Sequence, residues 1–238
     1  MTAVNDIHLL NISYLIVPMA IVLVLYVYWG LRWKNLLYAS GRMLMQLITV
    51  GFALNFIFAT DNSWTSLSIL LGMLLMAAWI STDQTQNRIN QWGPMVFSLL
   101  LGAIPVLALV MFAVLEVKPW YSPKVFIPLA GMILSNAMTA LSLAADRFQT
   151  ELANGNPLPA ARATAMETSL IPTINSFFAV GLVSLPGMMT GQILSGVSPL
   201  IAARYQIVVM AMVLGASGIS TAIYLILSSP PQPKVTKQ

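Results

Sequence analysis

Long apolar runs separated by short polar segments form the dominant pattern of the chain. A bilayer core needs about 20 mostly apolar residues per helix, and seven segments meet or approach that length. The sixth segment contains Pro186 and Gly187 and is therefore predicted to be interrupted. The pattern predicts an all-α, polytopic membrane helix bundle with about seven transmembrane helices. These helices cover residues 9–30, 43–58 (extended back through 35–42), 66–80, 94–115, 125–145, 169–194 and 205–227.

Composition supports a membrane protein and narrows the possible chemistry. Of 238 residues, 58% are hydrophobic and only 8% are charged, whereas soluble domains carry about 25% charged residues. Cysteine is absent and His8 is the single histidine, which excludes disulfides, thiolate metal sites and histidine cages. A net charge of +4 is explained by basic residues at helix ends, so no nucleic-acid partner is expected.

Basic residues also predict the orientation, because cytoplasmic loops are enriched in Lys and Arg. With the N-terminus outside and the C-terminus in the cytoplasm, eight basic residues lie inside and three outside. No Lys or Arg precedes the first apolar run, so we expect no cleavable signal peptide and a retained first helix. The inner residues are Arg32, Lys34, Arg42, Arg88, Arg147, Arg162, Lys234 and Lys237; the outer ones are Lys118, Lys124 and Arg204.

One connection is both long and polar, and it is predicted to face the cytoplasm. Residues 146–168 form this loop within a single permease domain that covers residues 1–238, and residues 228–238 form a disordered tail. Residues 146–153 and 159–169 have helical composition, and the turn-forming sequence Asn154-Gly155-Asn156-Pro157 separates them. The loop therefore predicts a short helix-turn-helix that projects from the membrane and docks on a partner.

Amides, thioethers and a helix break within the spans define a candidate translocation path. Polar side chains are costly in lipid and should face the bundle interior, and a Pro-Gly break can line a water-filled route. The alternatives are amides that only join helices, methionines that only fill gaps, and a kinked structural helix. Methionine sulfur could also bind a soft ion. The candidates are Gln46, Met132, Asn136, Met138, Asn175, Pro186, Gly187, Met188, Met189, Gln192 and Gln206.

Two motifs that suggest other activities lack the residues they need. The sequence Gly215-Ala-Ser217-Gly218 matches the nucleophile pattern of intramembrane serine proteases, but no histidine lies in any span to act as the base. We interpret it as small-residue packing. No phosphate-binding loop is present, so this chain does not bind ATP by itself. No carboxylate lies in the middle of a span, and the metal ligands stay unassigned.

Several blocks together resemble one family of ABC-transporter permeases, the FetB (YbbM) type, whose plant relatives include aluminium-tolerance membrane subunits. The resemblance extends over residues 36–227, and the Leu-Pro-Gly-Met-Met block is its most specific part. It is carried by the sequences Ser-Gly-Arg42-Met-Leu-Met-Gln46, Ile127-Pro-Leu-Ala-Gly-Met132-Ile-Leu-Ser-Asn136-Ala-Met138, Leu170-Ile-Pro-Thr-Ile-Asn175, Gly181-Leu-Val-Ser-Leu-Pro-Gly-Met-Met-Thr-Gly-Gln192 and Arg204-Tyr205-Gln206.

This resemblance implies a non-enzymatic subunit in the inner cell membrane that works with a separate ATP-binding subunit. ATP is then bound by that partner, no cofactor is held by this chain, and the membrane subunit forms a homodimer associated with iron export. The sequence Glu151-Leu-Ala-Asn-Gly155 looks like a shortened form of the loop that docks such permeases on their ATPase. The implied coupling residues are Asp146, Arg147, Glu151, Gly155, Arg162 and Glu167.

Two other functions stay open at this stage. The cargo could be a different metal, a chelate or an organic molecule such as a nucleotide sugar, because the spans lack the carboxylates and imidazoles that ferrous iron prefers. The chain could also be a scaffold or regulator that holds a partner through the polar loop. In that case changes at Pro186, Gly187 or Gln192 would leave function intact, whereas changes in the loop would abolish it.

Overall fold

Nine α-helices make up most of the described chain, which comprises residues 8–59, 62–85 and 88–228 of a computed structural model. The chain divides into two compact units, residues 1–60 and 61–238. The predicted disordered tail falls almost entirely on residues 229–238, which lie outside the described residues. The helices of the described residues confirm the predicted all-α polytopic bundle.

Unit 1 consists of a short helix and a helical hairpin. Helix α1 is Leu9–Ser13, α2 is Ile16–Tyr28 and α3 is Trp33–Ala59. The α2–α3 turn is tight because the Leu31 backbone N–H donates to the Tyr26 carbonyl at 2.8 Å, closing the end of α2. Within this unit α2 packs on α3.

Unit 2 contains the remaining six α-helices. Helix α4 (Ser63–Ser81) begins at Asn62, whose side chain accepts from the Trp64 N–H at 2.9 Å. Helix α5 ends in a π-helical turn, Val110–Val114, and a 3-10 turn, Thr82–Gln84, follows α4. The other helices are α5 (Arg88–Leu109), α6 (Pro123–Ala153), α7 (Leu158–Ala179), α8 (Gly187–Leu194) and α9 (Pro199–Leu227).

Helices α6 and α9 form the centre of unit 2. Helix α9 contacts α5, α6, α7 and α8, and α6 also packs on α4 and α7. Much of the buried surface between them is alanine, which lets helices approach closely in a membrane. Gly215 packs against Val106, and Gly218 packs against Met166. These contacts confirm the small-residue packing expected of the Gly-Ala-Ser-Gly sequence.

Six helices of the described chain are long and apolar enough to cross a membrane, as composition predicts for six of the seven segments. The remaining segment is divided into α7 and α8. Arg162, near the start of α7, donates to the Leu225 carbonyl at the end of α9. Since the 29 residues of α9 measure about 43 Å, the chain between Arg162 and Pro199 travels back along nearly all of that length. Helices α7 and α8 therefore make a composite crossing.

Candidate functional site

A buried carboxylate organises the turn between α6 and α7. Glu151 is 7% exposed, and its side chain pairs with Arg147 Nη2 at 2.6 Å and accepts from Asn156 Nδ2. The backbone N–H of Asn156 also donates to the Glu151 carbonyl at 3.1 Å, and that of Gly155 to Leu152 at 3.0 Å. These two bonds close a glycine-ended helix, in which Gly155 has a φ of +81°. We call Arg147, Glu151, Gly155 and Asn156 the tip cluster.

Arg162 connects the tip to the far end of α9. Its Nε donates to the Leu225 carbonyl at 3.0 Å, and Nη2 reaches the Ile226 carbonyl at 3.4 Å. The last carbonyls of a helix carry partial negative charge and lack partners within the helix, so a guanidinium stabilises them. Arg162 therefore ties the start of α7 to the end of α9.

The structure separates the six predicted coupling residues into two groups. Arg147, Glu151 and Gly155 belong to the tip cluster, and Arg162 lies beside α9; the three charged side chains and the turn at Gly155 hold the tip together. Asp146 and Glu167 are exposed. The predicted helix-turn-helix is a continuation of α6 and α7, and it reaches only slightly past the end of α9. Asp146 and Glu167 are thus the carboxylates of the predicted set that are available to a partner.

Replacing Glu151 with alanine is expected to lower the free energy of unfolding by about 1–3 kcal/mol, because Arg147 and Asn156 lose their common acceptor. Asp146→Ala on the same helix removes an exposed carboxylate and should change stability by less than about 0.5 kcal/mol. Thermal unfolding of the detergent-solubilised protein measures both. Equal effects of the two substitutions would show that Glu151 does not hold the tip.

The break that follows α7 is longer than the predicted kink at Pro186 and Gly187, and it begins earlier. Helix α7 ends at Ala179, residues 180–186 are non-helical, and α8 begins directly after Pro186. Gly181 has a φ of +82°, and its N–H donates to the Ser184 carbonyl at 2.9 Å. Proline fits the start of a helix because its missing donor is not needed there. Pro186 thus initiates α8, and Gly181 makes the turn.

A cavity of about 370 Å³ lies between this break and α9. It brings together two of the predicted path residues, Met189 of α8 and Gln206 of α9, with Met210 as a second thioether. Gln206 is 6% exposed. The rest of the lining is mostly apolar: Phe177, Val180, Gly181, Ala203, Ile207 and Ala211. Two of the predicted path residues therefore share a mostly apolar cavity beside α9 that is open to the surface, where Ile207 is exposed.

Other predicted path residues lie on the outer face of α6. Asn136 is exposed, and its Nδ2 donates to the Met132 carbonyl at 2.8 Å. Met138 borders a small groove of about 240 Å³ that ends at Asp146. Met132 and Met138 are half-buried against the core, as gap-filling methionines are. The Asn136 amide is therefore not buried among the helices of unit 2.

The remaining candidates are dispersed. Gln46 is exposed on α3 in unit 1, and Asn175 is exposed on α7. Met188 packs on the core, Gly187 is exposed at the start of α8, and Gln192 is half-buried with an unpaired Oε1 in the described chain. Asn175 lies about as far from the α6–α7 turn as Asn136 does, so the two amides sit at similar depth on neighbouring helices.

Several buried polar residues were not proposed as path residues by sequence reasoning, which interpreted Ser217 only as part of small-residue packing. Ser217, Ser220 and Thr221 of α9 have no exposed surface, and Tyr224 Oη donates to Gln91 Oε1 at 3.2 Å. Their helical spacing of three and four residues in a span was the signal that could have identified them. Among the described residues, no group of three or more His, Cys, Asp or Glu side chains could hold a metal ion.

Known proteins resemble this chain over most of its length. The profile of the family described as "Uncharacterised protein family (UPF0014)" matches residues 7–230. A UPF0014 membrane protein of Synechocystis sp. is 39% identical, covering 80% of this chain and 82% of the relative. No solved structure matches the chain.

Two further relatives have more specific names. The Escherichia coli K12 protein named "Probable iron export permease protein FetB" is 34% identical, and the match covers 80% of this chain and 78% of the Escherichia coli protein. "Protein ALUMINUM SENSITIVE 3" of Arabidopsis thaliana is 35% identical, and the match covers 80% of this chain and 75% of the Arabidopsis protein. The family suggested by the sequence blocks is therefore confirmed, and the chain belongs to the UPF0014 family of multi-pass membrane proteins.

Proposed function

We propose that this chain is the membrane-spanning permease subunit of an ABC transporter that exports a metal cation, iron first, across the inner cell membrane. ATP is hydrolysed by a separate subunit, and this chain is not an enzyme. The observation that carries the proposal is the tip: a rigid helical turn whose Arg162 is bonded to the end of α9. The name of the Escherichia coli relative supports iron as the cargo and permease as the class.

The tip offers a mechanical link from an ATPase to the bundle. Asp146 and Glu167 present exposed carboxylates to the partner, while the tip cluster keeps the turn rigid. Movement of the tip is then passed along α6 and α7 and, through Arg162, to α9. The proposal requires the tip to face the cytoplasm, and the orientation predicted from the basic residues supports this.

A homodimer is part of the proposal. Ser135, Asn136 and Thr139 of α6, and Asn175 of α7, are exposed polar side chains that other helices of unit 2 do not cover. Uncovered polar groups are costly in lipid and are expected to face protein or water. A second copy of the chain packed on this face would remove them from lipid.

An organic cargo is the second candidate, and the cavity favours it. A volume of about 370 Å³ with apolar walls and one buried amide is typical of small-molecule sites, which measure about 300–1,000 Å³. A metal chelate as cargo would agree with both the name of the Escherichia coli relative and the volume of the cavity. The two candidates differ in what stimulates transport.

Reconstitution with the partner ATPase tests the function. We expect the chain to co-purify with an ATP-binding subunit, to raise its ATP hydrolysis when ferrous iron is added, and to move iron across vesicle membranes. An ATPase with an inactivated phosphate-binding loop is the control. Stimulation by an organic panel but not by metals would favour the second candidate. If no ATP-binding subunit associates with the chain, the transporter function is wrong and a scaffold role gains support.

A further inference from the structure

One face of α9 carries a buried glutamine in its first half and several buried polar side chains in its second half. At 3.6 residues per turn, Ser217, Ser220, Thr221 and Tyr224 all lie within about 60° of Gln206 around the helix axis. All five are at least nine-tenths buried. From Gln206 to Tyr224 the helix rises about 27 Å, close to the roughly 30 Å of a bilayer core. We call these five residues the α9 lane.

Four oxygens of the α9 lane lack a hydrogen-bond partner within the part of the chain that the structure describes: Gln206 Oε1, Ser217 Oγ, Ser220 Oγ and Thr221 Oγ1. Hydroxyls elsewhere in unit 2 bond to the carbonyl one turn back, as Ser98 does to Pro94 at 2.7 Å. An unpaired buried polar group costs about 1–3 kcal/mol. Four unpaired oxygens on one helix face are explained if these oxygens form hydrogen bonds or bind a ligand in another conformation of the protein.

Helix α5 closes the α9 lane in the present state. An ideal Cβ on Gly102 would lie 2.5 Å from the Ser220 backbone nitrogen, so the two helices touch at their backbones. At the tip end, Gln91 accepts from Tyr224. Between Gln206 and Ser217, Val213 is 7% exposed and adds an apolar block. These contacts account for the burial of the lane residues, and the interface between α5 and α9 is closed in this structure.

The helix that covers the lane is also the one built to bend. Pro94 and Pro105 lie inside α5, on either side of Gly102, and the helix ends in a π-helical turn. Internal prolines remove backbone hydrogen bonds, and helices kink at such sites. Separation of α5 from α9 around Gly102 therefore needs few helical bonds to break.

The α9 lane meets the cavity beside α8 at one end. Gln206 belongs to both, and the cavity lies at the end of α9 opposite Arg162. The α9 lane therefore extends from an existing cavity to the end that contacts the tip, with an apolar interval between Gln206 and Ser217. An arrangement of this kind would join the two sides of the membrane once that interval opens.

Close packing alone is the competing explanation for small polar residues in α9. Alanine or glycine would allow the same approach without unpaired hydroxyls. Replacing unpaired serines by alanine would then be neutral or stabilising, with no effect on function. The two explanations thus give opposite results in a functional assay.

We propose that the α9 lane is the route of a partly hydrated metal cation, opened when α5 moves away from α9. Hydroxyl and amide oxygens replace part of the hydration shell, which suits cations that prefer oxygen ligands. This inference rests on the proposed transport function and adds the position of the path and its lining residues.

The first test removes the hydroxyls. A Ser217→Ala/Ser220→Ala/Thr221→Val variant, reconstituted with its ATPase, is expected to export ferrous iron about tenfold more slowly, because the barrier to the moving cation rises. Ser98→Ala, which removes a buried but paired hydroxyl of α5, should export at the wild-type rate. The triple variant should unfold at or above the wild-type temperature because only unpaired hydroxyls are removed, whereas Ser98→Ala should lose only about 1 kcal/mol, so slower export by the triple variant would not come from lost stability. Wild-type export by the triple variant would overturn the proposal.

The second test uses the absence of cysteine in the chain. Single substitutions Ser217→Cys and Ser220→Cys should react with a small water-soluble methanethiosulfonate during ATP hydrolysis about tenfold faster than Ala137→Cys, because opening the lane exposes them to water. Ala137 of α6 is equally buried and outside the lane. Equal rates at the three positions would overturn the proposal.

Because labelling is measured independently of export, the proposed cargo and the proposed route can be rejected separately. A wild-type chain that exports no metal overturns the proposed cargo, and fast labelling of Ser217→Cys would still support a hydrated lane. Active export with slow labelling and a fully active triple variant would retain the transporter and reject the lane.

Discussion

Replacing Gly102 with alanine is expected to lower the thermal unfolding midpoint of the detergent-solubilised protein by about 6–12 °C, corresponding to about 3 kcal/mol. The new Cβ would lie 2.5 Å from the Ser220 nitrogen and 2.6 Å from its Cα. Rotation of a side chain cannot relieve contacts with backbone atoms, so α5 and α9 must separate. Overpacking of this kind forces backbone shifts and costs stability.

Two control variants make the Gly102 prediction specific. Gly93→Ala lies on the same helix with nothing within 4 Å of the new Cβ, and it should be neutral or gain about 1 kcal/mol from helix propensity. Ser220→Gly should rescue Gly102→Ala only in part, because the backbone contact persists. Complete rescue, or a Gly102→Ala midpoint equal to that of Gly93→Ala, would contradict the close α5–α9 contact.

Arg162→Met is expected to uncouple the transporter: the ATPase continues to hydrolyse ATP while export falls about tenfold or more. The substitution removes the donors to the Leu225 and Ile226 carbonyls. Hydrogen bonds from a charged donor contribute about 1.5–3 kcal/mol, and losing them frees the end of α9 from the start of α7. The ratio of cation exported to ATP hydrolysed, in vesicles, measures the effect.

Two further variants test whether the effect depends on the forked donors of Arg162 and on its position in the bundle. Arg162→Lys keeps the charge but not the forked donors, and it should show an intermediate ratio. Arg204→Met removes an exposed arginine near the other end of α9 and should leave the ratio unchanged. An unchanged ratio in Arg162→Met would mean that movement of the tip reaches the bundle by another contact.

The sequence predicted the helices well because hydropathy and length follow directly from the bilayer. It also placed the break in the correct segment, but the break was assigned to Pro186 and Gly187. Proline is compatible with the first turn of a new helix, so it marks the end of a break as readily as a kink. Gly181, five residues earlier, adopts the positive φ that the turn requires.

Contacts between distant residues could not be predicted from spacing. Gly102 and Ser220 are separated by 117 positions, and no pattern in that interval brings α5 to α9. Arg162 was expected to meet a partner, and it bonds to the end of α9 because α7 and α9 pack together. Glu151 pairs instead with Arg147, four residues earlier on the same helix, which is a spacing that the sequence does display. Composition predicts which residues are costly in lipid; packing decides which of them find partners.

The orientation prediction depends on residues outside the central bundle. In unit 2 the described basic residues are equally divided, three at the tip end and three at the opposite end. The bias toward the cytoplasm therefore comes from Arg32, Lys34 and Arg42 and from two lysines beyond the described residues. The two sets in unit 2 are Arg88, Arg147 and Arg162, and Lys118, Lys124 and Arg204.

The composite crossing has a consequence for how the protein is made. Helix α7 is absent from the six helices that are apolar enough to span a membrane alone, and its first half is polar. Such a segment gains too little from lipid to leave the translocation channel by itself. Helix α6 is apolar and is joined to α7 by a turn of four residues, 154–157. We therefore expect the ribosome-bound chain to insert α6 and α7 together as a hairpin, after α6 has been retained in the channel.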